Sequence, residues 1–432
     1  LWYPSTTSSS YIFLFSSTSL VPHTSSMPAY YIEVLDNLQV VDIYAESMSP
    51  DANGAPRLVA EDQIQIDKDT ILLPTPTPRP VTKSTNPGWV RIRAPIAHAS
   101  RKERLESTPQ LITVIQRPVT SSTIKGFNEI CCQACGARLL SDTFKSRGHE
   151  LSIRDLPSAY WGELVDCWVC HPEEDSLNVN ADLLFSFEPD KCKSQQQQQQ
   201  QSPDEQSVPT VDVWIGDIYV LVSASLCEDL PTRLVHIDAK ERFVNAYTEL
   251  HCNACNQVVG ETGCMGRRRV NKLYLHRVRI DTPGERVDQT ADKHTSTATS
   301  VSLSQVCCSE FLGHSGAHAV YKFVVEGRKS CKPAILIHVV GWNAELQAAS
   351  GTDYSAADSS LFSRCVKVLY TKFGDSNFDD MASQWLADDG AELISLLDED
   401  CISLVEILDR NMLLIPPQLR AMSNMKRSFL HM

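Results

Sequence analysis

Three cysteine pairs at Cys-x-x-Cys spacing are the residues of this chain best suited to chemistry. They are Cys132/Cys135 in Cys-Cys-Gln-Ala-Cys-Gly, Cys167/Cys170 in Asp-Cys-Trp-Val-Cys-His, and Cys252/Cys255 in His-Cys-Asn-Ala-Cys-Asn. A two-residue gap lets a tight turn aim both sulfurs at one ion, and two such pairs complete the tetrahedral thiolate set that suits zinc without redox chemistry. The competing reading of any one pair is two reduced, buried cysteines acting as small hydrophobes. A thioredoxin-like redox pair needs a strand-to-helix context that these surroundings lack. Loop closure favours joining Cys135 to Cys167, with 31 residues between them, over Cys252, with 116 between, but by only about 1 kcal/mol. Local context separates the pairs better. The first and third enclose small or polar residues and are followed by Gly136 or Gly260, as in zinc knuckles, whereas the second encloses Trp168 and Val169. Cys131 reads as a bystander.

The whole chain supports metal over disulfides. Fifteen cysteines sit at irregular spacings among 432 residues, without a secretory signal, and in a reducing compartment that pattern points to metal. With 39 Lys+Arg against 53 Asp+Glu, the net charge of −14 argues against a surface built for nucleic acid. No apolar run approaches the roughly 18 residues a membrane helix needs. Hydrophobic residues make up 42% and charged ones 21%, enough apolar material for a core and a length suggesting two or three domains. The first residue is Leu1, and Met27 is read as the start of the natural chain. The Ser/Thr-rich stretch up to Ser26 is read as disordered or artefactual.

The elements that must position the cysteines are mostly strands. Between Tyr30 and Pro118, period-two alternation recurs at Gln63 to Asp67 and Val90 to Arg93, and Thr75 to Pro80 is too proline-rich for helix or central strand. Seven consecutive glutamines, Gln195 to Gln201, mark a disordered insert. Beyond it, Val211 to Ala224 reads as a buried strand, Lys272 to Ile280 alternates, and Asp281 to Ser300 reads as a loop. Val301 to Leu312 suits a short helix. Ala319 to Val325 and Ala334 to Val340 form a strand pair turned by Gly327, and Cys365 to Tyr370 is a further strand. Met381 to Leu397 and Ile402 to Leu414 have amphipathic helical spacing, and Pro416 and Pro417 end the second. The expected fold class is α+β: β-rich, with a structural zinc site and helices concentrated near the C-terminus. The expected divisions are 1–28, a disordered or artefactual N-terminus; 29–187, a β-rich region; 188–210, the glutamine insert; and 211–432, an α+β region.

One segment differs in character, running from Leu156-Pro157-Ser158 through Trp161, Leu164, Val165 and Trp168 to Cys170-His171-Pro172. Ser158 suits a helix N-cap, and the apolar residues then follow at three- and four-residue steps. The segment reads either as a core helix packing its tryptophans inward or as a binding element offering Cys170 and His171 at its end.

These residues together resemble a family. Cys132 to Gly136, Leu156-Pro157-Ser158 with Trp161 and Trp168 to Pro172, Cys252 to Cys255 with Gly260-Glu261, Val366 to Tyr370, and the ending Phe429 to Met432 are similar to fungal-type members of the HECT-like ubiquitin ligases, also described as ubiquitin-conjugating-enzyme-binding proteins. The resemblance implies an intracellular, cytoplasmic and nuclear, β-rich zinc protein that binds ubiquitin-conjugating enzymes and promotes substrate ubiquitination. It implies a metal site of Cys132, Cys135, Cys252 and Cys255, since the family pattern does not require cysteine at position 167. An alternative role is also implied, as a non-catalytic inhibitor or escort of a metallo-β-lactamase-type endonuclease of messenger-RNA 3′-end processing. In that role Cys170 faces the endonuclease zinc, and Pro157, Ser158, Trp161, Trp168 and His171 shape the contact. No catalytic cysteine is identified. Cys227, Cys264, Cys307, Cys308, Cys331, Cys365 and Cys401 read as structural or incidental, although Arg267 to Arg269 beside Cys264 would favour its thiolate if close in space.

Overall fold

The computed structural model describes residues 30–35, 40–46, 57–60, 63–66, 69–73, 82–86, 89–96, 117–124, 126–127, 129–141, 150–157, 185–186, 210–237, 246–265, 268–282, 297–349, 363–387 and 390–432. The expectations for 1–26, 75–80, the glutamine tract and 158–172 lie outside these residues.

Strands dominate, gathered into sheets of ten, eight, three and three strands among the described residues. The alternating segments behave as their period dictates: Trp89–Pro95 alternates half-buried and buried residues along its whole length because successive side chains point to opposite faces. In the ten-stranded sheet, Tyr30–Leu35 pairs antiparallel with Pro333–Ala349, so Tyr30 lies opposite Ala349. Pro333–Ala349 continues to Ser363–Lys372 and then to Met425–His431. The two ends of the described chain therefore share one sheet. The eight-stranded sheet is antiparallel except where Thr210–Ile215 runs parallel to Glu150–Asp155.

Three α-helices occur among the described residues, all in the last third of the chain: α1 (Leu303–His318), α2 (Phe378–Leu386) and α3 (Asp398–Leu414). Ser302 and Gln305 close a capping box on α1, each side chain bonding the other's backbone N–H, which satisfies two of the orphan amides at the helix start. Buried Phe311 and Leu312 of α1 and Leu404 and Leu408 of α3 pack with Phe323, Ile337 and Val368 of the large sheet.

Several boundaries differ from the sequence reading. Met381 to Leu397 is not one helix: α2 ends at Leu386, and Ala391–Leu396 is a strand running parallel to Lys322–Gly327. Leu393, Ile394, Leu396 and Leu397 fit helical and extended spacing alike, and the open edge of Lys322–Gly327 selects the strand. Val211 to Ala224 is a hairpin rather than one strand, reversing where the Gly216 N–H donates to the Tyr219 carbonyl at 2.8 Å. The expected loop after Asp281 contributes strand residues at both ends, with Thr282 opposite Thr297. Gly327 does not supply the left-handed residue of its turn. That residue is Cys331, at φ 51°, whereas a Cβ on Gly327 would collide with Ser330 and Asp398.

Two buried ionic clusters tie the C-terminal elements to the eight-stranded sheet, around Glu261, and to the 3-10 turn Leu275–Arg277 that follows it, around Asp400. Fully buried Glu261 lies 2.6 Å from Arg328 and 3.1 Å from Lys272, and Arg328 donates to the Tyr274 hydroxyl at 2.9 Å while stacking over the Tyr247 ring. Removing one member of a buried pair strands the other's charge in low dielectric. Replacing Arg328 with Met is expected to cost about 3 kcal/mol in urea unfolding, with a second change, Glu261→Gln, recovering part of the loss.

Candidate metal centre

Each cysteine pair sits on a turn whose hydrogen bonds are set by the strands beside it. The first follows Glu129–Cys132: the Gly136 N–H donates to the Cys132 carbonyl at 2.9 Å, and the Cys132 N–H donates to the Ala137 carbonyl at 2.7 Å. The second joins Ala246–His251 to Val258–Met265 and repeats the pattern, with Asn256 donating to Cys252 at 2.8 Å and Cys252 to Gln257 at 2.9 Å. In both turns the residue after the second cysteine is left-handed, Gly136 at φ 73° and Asn256 at φ 58°. Glycine and asparagine are the types that tolerate this conformation. Gly260 is therefore not the counterpart of Gly136. It lies within a strand, where a Cβ would collide with the Lys272 carbonyl oxygen.

The two turns face each other. Cys132 Sγ is 3.7 Å from Cys255 Sγ, and Cys135 Sγ is 3.6 Å from Cys252 Sγ. Four sulfurs around one tetrahedral ion with bonds near 2.3 Å stand about 3.8 Å apart, so the spacing fits a metal site. It is far too wide for disulfides, whose S–S length is about 2.05 Å. Cys132 and Cys252 are buried while Cys135 is exposed and Cys255 half-exposed, so the site opens at one corner. Burial pushes the Cys132 thiol up to about 12, and a cation is what would hold such a group as thiolate near neutrality. These four cysteines form a cluster that could hold a metal ion.

The long separation between the two loops is bridged by strand pairing. Glu129–Cys132 pairs antiparallel with Val278–Thr282, putting Cys132 opposite Val278. The chain reaches Val278 directly from the second turn through Val258–Met265, Arg268–Tyr274 and the 3-10 turn Leu275–Arg277. That turn touches both cysteine loops: the Gln133 N–H donates to the Arg277 carbonyl at 2.9 Å, and the Arg277 guanidinium donates to Gln257 at 3.3 Å. Arg277 and His276 in turn hold the buried carboxylate of Asp400 on α3, His276 at 2.8 Å. His251 supports the second loop from below, with Nδ1 3.1 Å from the Asn256 carbonyl and Nε2 3.1 Å from Glu249. Sequence reasoning missed Arg277 and Asp400, for which no local motif exists. His251 stands beside Cys252 in the sequence, but nothing there assigns it a role.

Of the segment singled out beyond the cysteines, Pro157 is exposed just after buried Leu156, whose N–H donates to the Ile215 carbonyl at 2.8 Å. Ser158, Trp161, Trp168, Cys170 and His171, with Cys167, lie outside the described residues. Cys131 is no ligand of the cluster. Its S–H points to Asp281 at 3.7 Å.

Comparison with known proteins places this architecture. A family model described as HECT-like ubiquitin-conjugating enzyme (E2)-binding matches residues 33–427. The chain belongs to that family. Among curated relatives, a protein of Bos taurus named as an E3 ubiquitin-protein ligase is 25% identical over 355 residues, covering 78% of this chain and 80% of the relative. Its namesake in Mus musculus is 26% identical over 346 residues, 78% of each. No solved structure matches the chain significantly. The match spans both cysteine loops and the C-terminal sheet, and no helix among the described residues is long and apolar enough to cross a membrane.

Two outcomes check the centre. Cys135→Ser or Cys252→Ser is expected to remove one bound divalent ion per chain, read by elemental analysis. Asn256→Val should lower stability by about 1–2 kcal/mol from left-handed strain while Asn256→Gly leaves it nearly unchanged, read by thermal denaturation.

Proposed function

We propose that this protein acts in ubiquitination by binding a ubiquitin-loaded conjugating enzyme and promoting transfer to a substrate, with its four-cysteine site held by zinc. The family match across residues 33–427 carries the reading, and the relatives' ligase names agree with it. Zinc is favoured by the donor set: four thiolates at tetrahedral spacing suit a d¹⁰ ion without redox chemistry. A closed four-sulfur shell leaves no position for substrate, so the ion's part is structural.

The thiols bear on how transfer runs. A thioester-forming cysteine must be accessible and ionise readily. Burial pushes Cys227 and Cys401 up to about 12, the latter aided by Asp398 and Asp400, and also raises Cys307, Cys308 and Cys365. Cys264 is buried and disulfide-bonded, a departure from the expectation of metal over disulfides, and so offers no thiol. Cys331 is half-exposed, but its S–H is turned back toward the Arg328 carbonyl at 3.5 Å. Outside the metal cluster the described cysteines thus favour a protein that positions the loaded conjugating enzyme over one that carries ubiquitin itself.

With activating and conjugating enzymes present, this chain is expected to accelerate discharge of ubiquitin from the conjugating enzyme to lysine while acquiring no thiol-releasable ubiquitin. A thioester on any cysteine of the chain would show a covalent relay instead, and no binding to any conjugating enzyme would defeat the reading altogether. Because protons compete for the ligand sulfurs, zinc should stay bound at neutral pH and be released as pH falls, followed with a chromogenic chelator.

A further inference from the structure

We propose that His314, His318 and Glu392 form a second metal site, chemically distinct from the cysteine centre, that takes a borderline divalent ion of the zinc type. His314 and His318 stand four residues apart on α1, so their rings share one helix face; the ring centres are 5.6 Å apart at 72°. Glu392 comes from Ala391–Leu396, whose parallel pairing with Lys322–Gly327 sets it opposite Phe323. One carboxylate oxygen is 2.7 Å from His318 Nδ1, the other 4.0 Å from His314 Nδ1, and the three donor atoms lie within 4.8 Å of one another. Nitrogen and oxygen donors about 2.1 Å from a tetrahedral zinc are about 3.4 Å apart, between the two shorter separations, so small side-chain rotations close the set.

The surroundings are those of a ligand group rather than of a single ion pair. An ion pair needs one histidine, whereas here two imidazoles address the two oxygens of one carboxylate. The opposite edge of His314, Nε2, faces Glu310 at 3.7 Å. A carboxylate behind a ligating histidine orients its ring and raises its basicity. Beneath, the His314 ring meets Phe323 at 6.1 Å, and Phe323 stacks on Phe311 at 5.0 Å, both deeply buried, giving a dry floor. The side chains of His314, His318 and Glu392 are 16%, 26% and 31% exposed, so an ion enters from solvent and keeps a position open. Because the site lies in the last turns of α1, the helix dipole also favours a cation. A second convergence, of Glu129, Cys131 and Asp281, lacks these features, since Arg138 and Arg279 already hold its carboxylates. Metal at His314, His318 and Glu392 would clamp the end of α1 to the edge strand.

The full-length protein, stripped by chelator and titrated with Co²⁺ and then Zn²⁺, tests this. Two equivalents per chain are expected, one with sulfur-to-cobalt charge-transfer absorption and one without it. His318→Gln and Glu392→Gln should abolish only the second, and Glu310→Gln, a positioning change, should weaken it about 10-fold. A single equivalent that His318→Gln leaves intact would overturn the proposal. Should the variants misfold by circular dichroism, imidazole NMR of the unaltered protein decides: two histidines must shift with the sulfur-free equivalent, and unchanged spectra would overturn the site.

Discussion

Four sulfurs drawn to within a few ångströms of a common point constrain the rest of this structure. As neutral thiols they gain little from that convergence, and as thiolates they repel. The arrangement is favourable when a cation binds them. To bring them there the chain must return a residue at 252 to one at 132, and it does so by pairing Glu129–Cys132 with the strand that follows the 3-10 turn Leu275–Arg277. The sheet, the turn and the two loops therefore form a single unit, in which Cys132 and Cys252 also belong to the hydrophobic core with Ile130, Val278 and Ile280.

That unit is tied to the C-terminal part by charge as much as by apolar contact. Asp400, in the first turn of α3, receives His276 and Arg277, and Glu261 receives Arg328 from the turn after Lys322–Gly327. Buried pairs of this kind seldom add much net stability, because desolvation offsets their attraction. They do penalise every arrangement in which one partner is left alone. Here they set how the cysteine sheet and α3 sit against each other, and the same residue, Arg277, contacts both cysteine loops and α3. A conjugating-enzyme partner would meet a surface whose two parts are held in one relation.

Much of the fold was legible where local physics decides. The alternation at Trp89–Pro95 and Gln63–Ile66 reads directly as half-buried strand, and α3 ends before Pro416 as proline requires. Reading failed where one pattern suits two structures. Leu393 to Leu397 fits helix spacing, yet a vacant parallel edge makes most of it strand. Glycine misled twice: Gly260 and Gly327 are needed for close approach, while Asn256 and Cys331 adopt the left-handed backbone. Asp400, Arg277 and His251 carried no signature, since each acts through a neighbour supplied by folding.

From the chain alone came the donor chemistry: two Cys-x-x-Cys turns of similar composition, each able to aim two sulfurs because the geometry of a four-residue turn is local. Loop closure did not choose between the pairs, since the closure entropies of a short and a long loop differ by about 1 kcal/mol. The small and polar residues inside the first and third turns, with the family resemblance, pointed to Cys132, Cys135, Cys252 and Cys255, the four that converge. How the two loops meet belongs to the tertiary structure, where antiparallel strands carry them to one place across 116 intervening residues. His314, His318 and Glu392 depend on the fold more fully: α1 runs past the expected end at Leu312 to place both histidines on one face, and the parallel strand delivers the carboxylate.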